Sequence, residues 1–199
     1  MNKTGIAVFG GSFNPPTVAH IDLAKQILSK IDEIEKVIFV PVSTRYNKNG
    51  LAPDEVRLGF LKRICQNYSN IDDSNIEIKS PKQLYTIETL RCIKEKYQGK
   101  NIYFVIGTDN LKELETWHEP EKILTEFKII VLERGQDNAE QIIQDSPFLN
   151  RFKTSFVKMD NIQKIDLSSS FVRSQIKTEK PIKGLVPEEI EEDVRRLYR

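Results

Sequence analysis

Cysteine is scarce in this chain, and neither sign of charge is in excess. The two cysteines, Cys65 and Cys92, are too few for a disulfide framework, and their helix-like apolar surroundings predict buried thiols. With 30 basic and 29 acidic residues the net charge is +1, so no overall field favours DNA, RNA or an anionic membrane as a partner. These features predict a cytoplasmic protein with no nucleic-acid partner.

Long apolar runs and repeats are also missing. No stretch approaches the roughly 20 apolar residues that a membrane-spanning helix needs, and the N-terminus lacks the apolar core of a signal peptide. No internal repeat and no linker rich in Gly, Pro or Ser divides the chain. We therefore expect residues 1–199 to form a single domain without a membrane partner.

Two familiar nucleotide-binding motifs are absent as well. Gly10 and Gly11 follow a short apolar run, but they belong neither to a G-x-G-x-x-G pattern nor to a P-loop ending in Gly-Lys-Ser/Thr. Their surroundings therefore disfavour a hydride-transferring dehydrogenase and a P-loop protein.

The sequence does contain a regular alternation of short apolar runs and helix-like segments. Helical spacing predicts a first helix ending near Ser29, a second starting after Pro53, a third capped by Thr86, and a last one from Leu185 to Tyr198. Runs suited to buried parallel strands occupy residues 6–9, 37–42, 76–78, 102–106, 127–132 and 156–157. This alternation predicts an α/β protein with a Rossmann-like, open, mostly parallel sheet and helices on both faces.

The strongest chemical signal follows the first predicted strand. Residues 10–20 have the sequence Gly-Gly-Ser-Phe-Asn-Pro-Pro-Thr-Val-Ala-His and join that strand to a helix. Glycines let the backbone approach an anion closely, and the free N–H groups at a helix N-terminus favour negative charge. Thr17 and His20 lie three residues apart on one face of the opening turn. The segment therefore predicts a phosphate-binding site.

Several segments together resemble those of a nucleotidyltransferase superfamily. Thr17-Val18-Ala19-His20 is similar to its (His/Thr)-x-x-His pair, and Leu-Ser-Ser-Ser-Phe-Val-Arg at 167–173 is similar to its Ile-Ser-Ser-Thr-x-x-Arg. Residues 84–90 resemble its Ser-Tyr-Thr-x-x-Thr-Leu, residues 105–109 its Gly-x-Asp strand end, and residues 183–187 the segment before its last helix. More narrowly, the whole chain resembles the nicotinate- and nicotinamide-mononucleotide adenylyltransferases of NAD synthesis.

This resemblance implies a nucleotidyltransferase fold and a specific reaction. The adenylyl group of ATP would pass to nicotinate mononucleotide, or to nicotinamide mononucleotide, giving deamido-NAD or NAD and pyrophosphate. Mg²⁺ would be carried by the phosphates of ATP and by water, with no metal ligands from the protein. The partners would be these small substrates alone, and the resemblance allows a homo-oligomer without requiring one.

The resemblance also assigns residues to the site. Catalytic roles fall to His20, Thr17 and Arg173, and the loss of His20 is expected to cost more activity than the loss of Thr17. The residues expected to bind ATP are Gly10, Gly11, Ser12, Phe13, His20, Gly107, Asp109, Ser168, Ser169 and Arg173. Those expected to bind the pyridine mononucleotide are Lys48, Tyr85, Thr86 and Trp117, whereas His118 is expected to be exposed without a chemical role. The assignment requires that the helix tips bearing His20 and Arg173 converge on one triphosphate.

Three departures from the family pattern leave the acceptor open. Thr17 replaces a histidine that many relatives carry, Ala19 replaces a glycine, and the loop of residues 45–50 differs from the bacterial Pro-Pro-His-Lys form. Nicotinate and nicotinamide mononucleotides both remain candidates. A transferase with another phosphorylated acceptor, or a non-catalytic nucleotide-binding module of the same fold, are the alternatives.

Overall fold

The protein is built on one six-stranded sheet in which all strands are parallel. The computed structural model describes residues 4–46, 50–157, 159 and 167–199. Within these ranges the strand order is β3-β2-β1-β4-β5-β6. The strands are β1 (Gly5–Gly11), β2 (Ile34–Pro41), β3 (Ile71–Asp73), β4 (Asn101–Gly107), β5 (Lys128–Leu132) and β6 (Phe156–Val157).

Helices cover both faces of the sheet. In the described ranges they are α1 (Val18–Lys30), α2 (Asp54–Cys65), α3 (Ile76–Lys79), α4 (Thr86–Lys96), α5 (Thr108–Glu113), α6 (Pro120–Glu126), α7 (Ala139–Asp145), α8 (Pro147–Arg151), α9 (Ser169–Lys177) and α10 (Glu191–Tyr198). None of these helices has the length and apolar character needed to cross a bilayer.

Alternation along the central strand decides which helices lie on which face. Ala7 and Phe9 of β1 point into an apolar cluster with residues of α1, α2, α9 and α10. Ile6 and Val8 point to the opposite face, into a cluster with residues of α4, α5 and α6. Because successive side chains of a strand alternate between faces, a strand that is apolar throughout requires cover on both. The predicted α/β class with helices on both faces is confirmed.

The order of connection creates a crevice at the centre of the sheet. Strand β1 lies between β2 and β4, and the chain leaves β1 and β4 toward opposite faces. In open α/β sheets, ligands collect at such a switch point, outside the carboxyl ends of the strands. Gly11, at the end of β1, and Gly107, at the end of β4, border this crevice.

One predicted strand is wrong. Residues 76–78 lie in the helix α3, where the N–H of Lys79 donates to the carbonyl of Asn75 at 2.8 Å. The edge strand is β3, which comes five residues earlier and pairs Ile71 with Val37 of β2. The Ile-Glu-Ile alternation has the period of a strand, but tertiary pairing with β2 takes place at β3 and leaves residues 76–79 beyond the edge of the sheet.

Three smaller predictions also need correction. Tyr85 occupies the N-cap of α4, and Thr86 is the first helical residue instead of the cap. The last α-helix starts at Glu191, after a single 3₁₀ turn at Glu188–Ile190. Of the two thiols only Cys65 is buried, whereas Cys92 is half-buried.

Candidate active site

The segment from the end of β1 to the start of α1, residues 10–17, is here called the phosphate turn. Phe13 sits in this turn with a positive φ of 45° and is buried, with its ring 5.2 Å from that of Phe39 and 5.0 Å from that of His20. A bulky residue adopts this conformation only where its surroundings hold it, and here the aromatic contacts do so. The turn is therefore anchored in the core while its backbone faces the crevice.

Thr17 orients the imidazole of His20. The N–H of Thr17 donates to Nδ1 of His20 at 3.0 Å, and the Thr17 hydroxyl lies 2.8 Å from the same nitrogen. Because Nδ1 accepts the backbone N–H, the ring proton belongs on Nε2. Thr17 is fully buried, so its side chain contacts the histidine and not the crevice. Its position is that of a residue that holds His20.

His20 is neutral at physiological pH. Burial, followed by the positive charge of Arg134, lowers the pKa of its imidazole from 6.5 to about 4. A neutral ring with its proton on Nε2 is a hydrogen-bond donor that carries no charge. His20 can therefore donate to a phosphate oxygen without first losing or gaining a proton.

The N-terminus of α9 docks on the phosphate turn. The Ser168 hydroxyl accepts from the N–H of Phe171 at 3.1 Å and caps the helix. The Ser169 hydroxyl donates to the carbonyl of Pro15 at 2.7 Å, and the Arg173 guanidinium donates to the carbonyl of Asn14 at 2.6 Å. The expected approach of the second helix tip to the turn that leads to His20 is thus present. The N-terminus of α9 therefore lies against the turn that leads to α1.

At the end of β4, Gly107 and Asp109 share their surroundings with an arginine. The Asp109 carboxylate pairs with the Arg134 guanidinium at 3.5 Å, and both side chains are more than half exposed. A Cβ at position 107 would lie only 2.2 Å from Oδ1 of Asp109 and 2.9 Å from Nε of Arg134. A side chain at position 107 would displace this exposed pair, which lies at the carboxyl end of β4 beside the crevice.

The residues predicted to bind the mononucleotide lie in a more open arrangement. Tyr85 is 51% exposed, and its ring stacks on that of His118 with centroids 4.0 Å apart. Trp117 is half-buried and packs against Phe104, with centroids 6.2 Å apart. His118 is exposed, as predicted, but it has this ring partner. Lys48 lies outside the described residues.

Arg57, which the sequence reasoning missed, fastens the loops around the phosphate turn. Its guanidinium is completely buried and donates to the carbonyls of Ser12, Val42 and Ala52 at 2.6 to 2.9 Å. Its charge is balanced by the Asp54 carboxylate at 2.6 Å. Three loop segments after β1, after β2 and before α2 are thereby joined.

Comparisons with known proteins establish the family of the chain. Residues 8–175 match the cytidylyltransferase-like family. The chain belongs to this family. It is 33% identical over 195 residues to a Fusobacterium nucleatum relative named "Probable nicotinate-nucleotide adenylyltransferase", covering 97% of this chain and 98% of the relative. A Caldicellulosiruptor saccharolyticus relative of the same name is 34% identical, with 98% of each chain covered.

A solved structure of a cytidylyltransferase-like relative has the same fold. It is a Plasmodium falciparum nicotinic acid mononucleotide adenylyltransferase complexed with NaAD, 26% identical, with a TM-score of 0.76 over 98% of this chain and 97% of that chain. The nucleotidyltransferase fold expected from the sequence is confirmed.

Two arginines of this cytidylyltransferase-like chain could have been found from sequence signals that were not used. Arg57 precedes Leu61 by four residues and Ile64 by seven, so it shares the buried face of α2. Arg134 comes two residues after β5, at the sheet edge where Gly107 also ends its strand. A cation on the apolar face of a helix indicates a buried charged group. A cation just past a parallel strand lies at the sheet edge where ligands bind.

Proposed function

We propose that the protein transfers the adenylyl group of ATP to nicotinate mononucleotide, forming deamido-NAD and releasing pyrophosphate, as a step in NAD synthesis. The observation that carries this proposal is the docking of α9 on the phosphate turn through Ser169 and Arg173. That contact brings a guanidinium and the turn that holds His20 to the same carboxyl edge of β1. The names of the relatives supply the acceptor.

The chemistry suits such a site. A phosphate oxygen of the mononucleotide attacks the α-phosphorus of ATP, a new P–O bond forms, and the bond to the β-phosphate oxygen breaks as pyrophosphate leaves. The attacking phosphate is already an anion near neutral pH, so no general base is needed. The barrier lies in bringing two polyanions together and in stabilising charge on the transferred and departing oxygens.

On the ATP side, Nε2–H of His20 would donate to a phosphate oxygen in the transition state, and the remaining N–H donors of Arg173 would offset the developing charge. Gly10, Gly11, Ser12 and Phe13 would shape the backbone around the phosphates. Thr17 would act through His20. Gly107 would let the nucleotide approach closely, and Asp109 would accept from ribose hydroxyls once its pairing with Arg134 gives way. Ser168 and Ser169 would complete the cradle at the start of α9.

On the acceptor side, the N-terminus of α4 would receive the pyridine substituent. Tyr85 is the N-cap and Thr86 the first residue of this eleven-residue helix, whose free N–H groups favour a carboxylate. The face of Trp117 would stack on the pyridine ring, and Lys48 would bind the phosphate of the mononucleotide.

Mg²⁺ is proposed to arrive as part of the MgATP substrate, held by phosphate oxygens and water. Among the residues that the structure describes, no group of three or more His, Cys, Asp or Glu side chains is placed to hold a metal ion. The residues at the crevice, His20, Arg134 and Arg173, are hydrogen-bond donors, which suit the phosphates that surround the ion.

Pyrophosphate release measured with a panel of acceptors tests the proposal. We expect turnover with nicotinate mononucleotide, less with nicotinamide mononucleotide, and none with phosphopantetheine. Failure of both pyridine mononucleotides to support release would reject the proposed function. Binding of ATP without any transfer would identify a non-catalytic module instead.

A further inference from the structure

Asn14 lies at the centre of a buried network that joins several parts of the site. It is only 4% exposed. Its Nδ2 donates to the carbonyl of Gly50 at 2.8 Å, and its Oδ1 accepts from the N–H of Ala52 at 2.9 Å. Its own carbonyl accepts from Arg173. Asn14 therefore connects the phosphate turn to α9 and to the segment of residues 50–52, which directly follows the loop that carries Lys48.

The last contact of Asn14 comes from the far end of the chain. The hydroxyl of Tyr198, at the end of α10, donates to Oδ1 of Asn14 at 2.5 Å. Burial raises the pKa of Tyr198 to about 12, so the phenol keeps its proton across the working range of pH and remains a donor. The Tyr198 ring packs against the apolar cluster that includes Phe13 and Val172.

The arrangement gives the hydroxyl a role separate from that of the ring. The ring contributes to the core that α10 shares with α9 and the phosphate turn, and phenylalanine would preserve that packing. The hydroxyl shares one acceptor atom with the N–H of Ala52, and it therefore helps to hold the Asn14 amide in the single orientation that satisfies both chain segments.

We propose that Tyr198 is a positioning residue for adenylyl transfer, which acts through Asn14 to hold the phosphate turn in place relative to Arg173 and residues 50–52. This inference rests on the proposed function. In-line transfer needs the ATP side and the acceptor side in one fixed relation, and displacements of about 1 Å can cost large factors in rate. The end of α10 thus completes a site whose other elements lie far away in sequence.

Tyr198→Phe removes the hydroxyl and keeps the ring. Loss of one hydrogen bond to the turn should lower kcat about fivefold and weaken the binding of α,β-methylene ATP with Mg²⁺ about threefold. Circular dichroism at the assay temperature establishes that the variant is folded. A purely structural role would lower the melting temperature and leave kcat and Kd at 25 °C unchanged.

Two shortened chains provide a matched comparison. A chain ending at Tyr198 lacks only the exposed Arg199 and should equal the full protein. A chain ending at Leu197 loses the ring and the hydroxyl, and should lose more activity than Tyr198→Phe. In an Asn14→Ala background the hydroxyl has no acceptor, so Tyr198→Phe should have no further effect on kcat.

The outcomes separate the two proposals. Unchanged kcat and Kd in Tyr198→Phe, or a loss of activity only in proportion to unfolded protein, would overturn the role of Tyr198. A full-length protein that binds α,β-methylene ATP but releases no pyrophosphate from ATP in the presence of either pyridine mononucleotide would reject the proposed function. In that case the Kd of Tyr198→Phe still decides the inference: a weakened Kd supports it, and an unchanged one overturns it.

Discussion

The two halves of the candidate site are held in different ways. In the ATP half, three carbonyls of the phosphate turn are each bound by a side chain from another element: Ser12 by Arg57, Asn14 by Arg173, and Pro15 by Ser169. In the acceptor half, Tyr85 and His118 touch through exposed, stacked rings. The comparison teaches that the turn proposed to bind phosphates is held by side chains from distant elements, whereas the rings of Tyr85 and His118 are exposed.

Replacing Arg57 should have the largest effect on the stability of the ATP half. Arg57→Met keeps the approximate size of the side chain but removes the buried guanidinium that the Asp54 carboxylate and three loop carbonyls share. We expect a loss of about 3–5 kcal/mol in the free energy of unfolding, measured by urea titration. Arg63→Met, on the exposed face of the same helix, is the control and should change stability by less than about 1 kcal/mol. Equal losses in the two variants would contradict the role assigned to Arg57.

Replacing His20 tests whether the ATP half stabilises the transition state of adenylyl transfer. His20→Ala should lower kcat by about 10²–10³, because it removes a donor aimed at charge that develops in the transition state. Thr17→Val should cost only about tenfold, since Thr17 acts by orienting the ring and its backbone N–H remains. Steady-state pyrophosphate release measures both variants. A larger loss from Thr17→Val than from His20→Ala would reverse the assignment.

Acid should weaken the ATP half through His20. The folded pKa of about 4 lies below the ordinary value of 6.5, so the unfolded chain takes up a proton on this residue first as the pH falls. The contribution of neutral His20 to the free energy of unfolding is fully present above pH 6.5 and is lost as the pH falls toward 4. The loss amounts to about 2 kcal/mol between pH 7 and 5. Urea unfolding of His20→Asn should show an acid sensitivity reduced by this amount, with His118→Asn as the control for losing a histidine. If the free energy of unfolding of His20→Asn fell with pH as steeply as that of the unmodified protein, the lowered pKa of His20 would be contradicted.

A substitution in the acceptor half should affect the binding of the acceptor more than any other property. Trp117→Ala should raise KM for nicotinate mononucleotide about tenfold, because a stacking face worth about 1–1.5 kcal/mol is lost. KM for ATP and the melting temperature should change much less, since the indole is only half-buried. Trp117→Phe retains a stacking face, so its KM for nicotinate mononucleotide should lie between those of the unmodified protein and Trp117→Ala. A rise of the same size in KM for ATP would contradict the assignment of Trp117 to the acceptor half.

How far the sequence predicted the fold depended on whether an element is defined locally. The apolar runs of β1, β2, β4 and β5 are long enough to require burial on both faces, and each was predicted within three residues of its start. The edge strand β3 was misplaced to residues 76–78, because tertiary pairing with β2 decides where this short strand forms, whereas β6 at the other edge lies at the predicted residues 156–157. The phosphate turn was recognisable because Gly10, Gly11, Thr17 and His20 lie within a few neighbouring residues.

The distant contacts of the site were recognisable only in part. The resemblance brought His20 and Arg173 together in expectation, but it did not reveal what Arg173 binds. Arg134 and Arg57 carry no motif, and their importance depends on where β5 and α2 lie in the assembled sheet. Such residues become visible when the neighbouring carbonyls and carboxylates are in place.

By itself, the sequence determined the α/β alternation, the glycine-rich turn after β1 and the pairing of Thr17 with His20, since each depends on residues that are close along the chain. Only the tertiary structure decided how that turn is held. The partners of its carbonyls and of Asn14 lie 45 residues away at Arg57, 159 at Arg173 and 184 at Tyr198. Contacts of that separation form only after the sheet order and the packing of α2, α9 and α10 have brought the segments together, because no local propensity links them.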